Sequence, residues 1–129
     1  MHRNYFITAA VLGALAVALG AFGAHGLQRI TTDETILHSY QTGVQYQVYH
    51  SLALLIAAAV SEKLTARYFH WAALCFTVGV LLFSGSLYLI TYLKIQESSA
   101  VRIIGPVTPV GGLLFIAGWL LLALAATRR

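Results

Sequence analysis

Residues 4–28, NYFITAAVLGALAVALGAFGAHGLQ, hold no charged side chain. A helix that crosses the hydrocarbon core of a bilayer, roughly 30 Å thick, needs about 20 predominantly apolar residues, and this stretch exceeds that length. The same pattern recurs three times. The chain has 129 residues, with eight Lys or Arg and four Asp or Glu. These charges fall in five clusters and leave charge-free stretches at 4–28, 35–61, 68–93 and 103–127. In lipid only helices and closed barrels satisfy every backbone polar group. The expected fold class is therefore all-α, a four-helix transmembrane bundle running up-down-up-down as one integral membrane domain over residues 1–129. Its helices are expected near 4–25, 40–61, 68–92 and 107–127.

Composition agrees. Hydrophobic residues make up 59% of the chain and charged residues 9%, with a mean hydropathy of +0.78. A soluble domain carries about a quarter charged residues, so this chain lacks the polar surface to face water all round. The net charge of +4 does not point to nucleic acid, because the basic residues sit singly at the ends of apolar segments, as membrane anchors and topology signals do. Cys75 is the one cysteine and reads as a small buried hydrophobe. The first apolar run is longer than a signal-peptide core and reads as a retained helix.

Four spans put both termini on one side. Arg3, Lys63, Arg67, Arg128 and Arg129 share that side, and Arg29, Lys94 and Arg102 lie on the other. The positive-inside rule then places both termini in the cytoplasm. Residues 28–39 are the longest polar stretch; with Thr32 as a cap before Asp33, they are expected to hold a short interfacial helix between helices one and two. Helix four is expected to start irregularly, because Gly105-Pro106-Val107-Thr108-Pro109 disfavours α geometry before each proline. Residues 103–108 then enter as extended chain, Thr108 caps, and Pro109 opens the helix. On helix one, Ala9, Gly13, Ala16, Gly20 and Gly23 form a small-residue face that another helix can approach closely. That face is the expected contact for a homo-oligomer or a membrane-protein partner, if not for a helix of the same chain.

Polar residues collect at one end of each helix: GAFGAHGL at 20–27, YQTGVQYQVYH at 40–50, FSGSLYL at 83–89 and GPVTPVGG at 105–112. In an up-down-up-down bundle these four segments share one half of the membrane, the outer half if the charge argument holds. Intramembrane polar groups are costly and face the bundle interior or a cavity. The candidate ligand-binding residues are therefore His25, Gln41, Gln45, Gln47, His50, Ser84, Ser86, Tyr88, Thr108, Gly111 and Gly112. His50 is the sharpest of them, about 13 Å deep if helix two enters near Gln41; a helix-three serine is its expected partner in the purely structural reading. His25 can cap the last carbonyls of helix one. Ser84, Ser86 and Tyr88 are placed to bond Gln45, Gln47 or His50. Free amides at Val110 to Gly112 would suit an anion or a carbonyl oxygen. His2 and His70 lie near the opposite face. No metal-ligand spacing occurs, Ser84 is not in a GxSxG setting, and no intramembrane acid completes a triad.

In combination these four blocks, extended to YQTGVQYQVYHSLALL at 40–55 and GPVTPVGGLLFIAGW at 105–119, resemble the YgdD-type membrane proteins. These form domain-of-unknown-function family 423, related to the eukaryotic transmembrane protein 256 group. The resemblance covers nearly the whole chain. It implies four transmembrane helices in a bacterial inner membrane, and it implies no activity, cofactor or catalytic residue.

The expected function is therefore that of a polytopic inner-membrane protein, not an enzyme on these residues, binding a lipid-like or quinone-like molecule or a partner helix in a polar pocket in the outer half of the bundle. Two alternatives remain at this stage. One is a haem or metal protein using His25 and His50. The other is a small transporter or channel active as an oligomer. The lipid bilayer itself is the one partner the composition demands.

Overall fold

A computed structural model describes residues 1–127. All regular structure among these residues is helical. Helices α1 (Arg3–Ile30), α3 (Ala66–Ile95) and α4 (Val101–Thr127) are long and apolar enough to cross a membrane. Helix α2, Glu34–Ala59, is also long at 26 residues. Its glutamines, Tyr40 and His50 set it apart in composition. A 3-10 turn, Ser61–Lys63, links α2 to α3.

Local chemistry sets the helix ends. The His2 ring caps α1 by accepting the Tyr5 amide at 3.5 Å. The sequence points to Thr32 as the cap of the next helix; in the structure Asp33 has that role. Its carboxylate accepts two otherwise free amides, Thr35 N at 2.9 Å and Ile36 N at 3.4 Å, as a helix N-terminus requires. Helix α2 therefore begins at Glu34, and residues 34–39 are its own first turns. The short segment Gln28–Ile30 continues α1.

The C-terminus of α3 closes in a Schellman motif. Ser98 N donates to Leu93 O at 2.9 Å and Glu97 N to Lys94 O at 3.1 Å, with Glu97 at φ 54°.

The start of α4 differs from expectation. Val101–Ile104 is helical, Gly105 N donates to Val101 O at 2.8 Å, and the long segment Val107–Thr127 follows directly. Residues 103–108 are thus not extended. Pro109 is tolerated because it falls in the first turn, where its missing amide has no intrahelical acceptor to lose.

Two helices contain a π turn, Gly23–Leu27 in α1 and Val80–Ser84 in α3. Beside each turn a carbonyl takes an extra hydroxyl. Tyr40 donates to Leu19 O and Ser86 to Phe83 O. Helices relax into π geometry where another group joins the backbone ladder, and such bulges recur at functional sites.

Consecutive helices pack antiparallel. On α1 and α2, Leu19 meets Tyr40, Leu12 meets Gln47, and His2 N donates to Ala58 O. On α2 and α3, Gly43 meets Ser84 and His50 meets Phe76. On α3 and α4, Ser86 meets Thr108, and Thr65 N donates to Ala125 O at 2.9 Å.

The small-residue face of α1 lies against α2: Ala9 and Ala16 are buried, Gly20 faces Val44 and Gly23 faces the Tyr40 ring. Most of this face is thus occupied by α2 of the same chain, whereas a Cβ added at Gly13 would meet nothing within 4 Å.

Between α3 and α4, aromatic rings enter glycine notches. Phe115 fills the space beside Gly79, Phe76 the space beside Gly118, and the Phe83 backbone lies against Gly111. The apolar core runs from Ala9, Leu54 and Ala58 through Phe76 and Val80 to Phe115 and Ala125.

Candidate functional site

The polar residues singled out in the sequence separate into two sets. The first is buried and internally bonded. Gln47, 3% exposed, donates from Nε2 to Leu12 O at 2.8 Å, and its Oε1 accepts the Tyr88 hydroxyl at 2.7 Å. One amide thus ties α2 to both α1 and α3. The Ser84 hydroxyl donates to Gly43 O at 2.6 Å. Ser86 bonds Thr108 as well as Phe83 O, which joins α3 to α4. Tyr88 pairs with Gln47 as anticipated; the two serines bond backbone and Thr108, away from the glutamines and His50.

His50 is 4% exposed and has a partner at each ring nitrogen. Nδ1 lies 2.7 Å from Tyr46 O, and Nε2 lies 3.0 Å from the Trp119 indole nitrogen. A carbonyl only accepts and an indole N–H only donates. These partners assign the tautomer: the proton is on Nδ1, which donates to Tyr46 O, and Nε2 accepts from Trp119. The ring also stacks on Phe115, with centroids 3.6 Å apart and planes 10° from parallel. No helix-three serine is its partner.

Its position along the bundle shifts too. Because α2 starts at Glu34, His50 lies about 24 Å from that end, beyond the helix midpoint. The polar network therefore extends across the middle of the bundle and is not confined to one half.

His25 sits on the π turn of α1 and is exposed. Gln47 faces Leu12, so His50 lies level with the first third of α1, and His25 is about 24 Å further along that helix. Two axial ligands of one haem iron must approach within a few Å of each other, so the structure does not bring this pair together. Among the described residues no three His, Cys, Asp or Glu side chains are grouped to hold a metal ion.

Gly111 and Gly112 do not form an amide cradle. The long segment of α4 begins at Val107, so their amides lie past the first turn and inside the hydrogen-bond ladder. Gly111 is buried against Phe83. Its lack of a side chain serves helix packing.

The second set faces outward. Gln41 and Gln45 are exposed. Gln41 also borders a cleft of about 200 Å³ between α1 and α2, lined by Gly20, Gly23, Ala24, Leu27, Gln28, Leu37, Tyr40, Gln41 and Val44. The lining is mostly apolar, with the two glutamine amides and the Tyr40 ring as its polar groups.

Trp119 was absent from the sequence candidates, although it donates to the most buried histidine of the chain. A signal existed. Tryptophans of membrane proteins gather at the interfaces, whereas Trp119 lies mid-helix, where an indole N–H needs a partner. Leu12 O and Gly43 O, as backbone acceptors, left no such signal.

The chain's residues 19–112 match the family model described as "Protein of unknown function (DUF423)". It is 40% identical to the UPF0382 inner membrane protein YgdD of Escherichia coli (strain K12), over 98% of this chain and 91% of that protein. It is 40% identical to a UPF0382 membrane protein of Staphylococcus haemolyticus, over 95% of this chain and 94% of that protein. The UPF0382 membrane protein YwdK of Bacillus subtilis (strain 168) is 39% identical, over 98% of each chain. No solved structure matches the chain. Extended apolar helices, a shared core and near full-length similarity to proteins named for the membrane lead to one conclusion: the chain is a membrane protein and belongs to the DUF423 family of proteins of unknown function.

Proposed function

We propose that the chain is a four-span protein of the bacterial inner membrane, with both termini in the cytoplasm, that holds the acyl chain of a lipid-like molecule in the cleft between α1 and α2. The cleft carries this reading. Its apolar wall of Gly20, Gly23, Ala24, Leu27, Leu37 and Val44 suits hydrocarbon. Gln28, near the end of α1, can meet a polar headgroup at the interface. The buried polar residues are bonded to one another, so they act as the frame that holds the helices and not as the ligand site. Three observations support a fourth span in α2. It is about 39 Å long, its polar residues Gln47, His50 and Ser51 are buried, and it packs antiparallel between α1 and α3. An inner-membrane location follows the name of the Escherichia coli relative.

The test is native mass spectrometry of the protein released gently from its own membrane. A discrete added mass, lost in Ala24→Phe but kept in Trp119→Phe, is the expected result. A bare protein mass, or a ligand that survives Ala24→Phe, would sink the cleft as the site.

A further inference from the structure

Helix α2 carries a second polar face, directly opposite the one that enters the core. His38, Gln41, Gln45, Tyr49, Leu52 and Ile56 follow at spacings of three and four, which sets them on a single stripe. All six are exposed, Tyr49 at 55%, Leu52 at 53% and Ile56 at 63%. The buried residues Ile36, Tyr40, Gly43, Gln47, His50 and Leu54 occupy the far side. Among the described residues, the side chains of Gln41, Gln45 and Tyr49 have no hydrogen-bond partner in the chain. On the four-span reading, which this inference requires, Gln45 lies about 2 Å from the midpoint of α2. Its amide would then face the centre of the lipid phase with neither water nor protein to bond.

We propose that a second copy of the chain covers this face, with Gln45 of each copy bonded to Gln45 of the other. Two copies with the same topology in one membrane are related by a two-fold axis along the membrane normal. That axis sets each residue of α2 opposite itself at equal depth. A carboxamide has both a donor and an acceptor, so two opposed glutamines can satisfy each other in a reciprocal pair. Gln41 and Tyr49, one turn away on either side, repeat the match. A different protein would need its own amide at that depth, which an identical copy supplies through symmetry. Leu52 and Ile56 extend the contact with apolar side chains, and the dimer removes the amides from lipid without disturbing the inner network.

The test is disulfide cross-linking in native membranes on a Cys75→Ala background. Leu52→Cys lies on the proposed face and leaves Gln45 in place. Leu81→Cys, 61% exposed on α3, is the control, about 9 Å from Leu52 along the bundle and level with Gln45. The expected result is a covalent dimer for Leu52→Cys well above that for Leu81→Cys. Adding Gln45→Leu should weaken dimerisation roughly three- to tenfold, the range seen for membrane hydrogen bonds, and Gln45→Asn should weaken it less. Equal cross-linking at both sites, a yield that Gln45→Leu leaves unchanged, or a product of another mass would each overturn the dimer. Rapid labelling of Leu52→Cys by a membrane-impermeant maleimide would place α2 outside the bilayer, and the four-span reading would then fail first.

Discussion

A polar atom inside lipid or core has no water to fall back on, so each buried side chain here can be asked where its hydrogen bonds go. His50 answers with Tyr46 O and Trp119, and Gln47 with Leu12 O and Tyr88. Trp119→Phe keeps the aromatic packing against Phe76 but removes the indole donor, leaving Nε2 of His50 bare. That change should cost about 1–3 kcal/mol, the penalty of an unmet buried group, read as a lower unfolding temperature in detergent. His50→Phe combined with Trp119→Phe should cost less than the two single changes added, because neither partner is then orphaned. Additive losses would mean the bond contributes nothing. Gly111 and Gly112 give a sharper contrast. A Cβ on Gly111 runs into the Phe83 backbone, whereas on Gly112 its nearest neighbour is the Phe83 ring at 3.8 Å. Gly111→Ala should therefore destabilise by about 1–3 kcal/mol through overpacking. Gly112→Ala should be neutral, or gain up to about 1 kcal/mol in helix propensity. Similar unfolding temperatures for the two variants would contradict the close approach of α3 and α4.

At the scale of the helices, the end of α3 holds a residue poorly suited to its backbone. Glu97 occupies the left-handed position of a Schellman motif at φ 54°, where a side chain costs about 1–2 kcal/mol relative to glycine. Glu97→Gly should recover about 1 kcal/mol of that, seen as a higher unfolding temperature, and Glu97→Val should lose stability. No difference between glycine and valine at this site would remove the αL cap from the account. The same scale shows what sequence makes legible. Four charge-free stretches correspond to four long helices, three of them apolar enough to cross a membrane, because charge avoidance is a one-dimensional signal that survives without knowing any partner. The start of α2 was less legible. Thr32 and Asp33 are both competent caps, and the choice between them turns on which oxygen reaches two amides. Helix four misled further, since two prolines suggested extended chain, but neither falls where a proline must break a helix. Within the site, the glutamines and His50 could be chosen by their rarity in apolar sequence. Their partners could not, because half of them are backbone carbonyls and the register between helices decides which carbonyl is near. The small-residue face of α1 was legible as a packing face, while its occupant, α2, became visible only with the helices assembled.

For the whole molecule, the antiparallel order of the helices and the distribution of charge make one joint claim about the membrane. His2 N donates to Ala58 O and Thr65 N to Ala125 O, so the start of α1, the α2–α3 turn and the end of α4 gather at one end of the bundle. The Met1 ammonium also bonds Glu62 there, at 2.7 Å, and this holds the Glu62 carboxyl below its usual range through the hydrogen bond and the adjacent positive charge. That end carries Arg3, Lys63 and Arg67, whereas the opposite end carries Arg29, Lys94 and Arg102 together with Asp33, Glu34 and Glu97. The Lys and Arg of the two ends balance until Arg128 and Arg129 are added, so the proposed orientation draws its charge bias from that pair. In spheroplasts of a Cys75→Ala background, an impermeant maleimide should label Ser99→Cys, in the α3–α4 connection, from outside. Glu62→Cys should react only after the membrane is opened. Replacing Arg128 and Arg129 with glutamine should weaken this preference, so that Glu62→Cys becomes partly reactive from outside, because the bias between short loops sets orientation. An unchanged labelling pattern would show that the first three helices orient the protein without them, and labelling of both sites from outside in the parent would reject the four-span order.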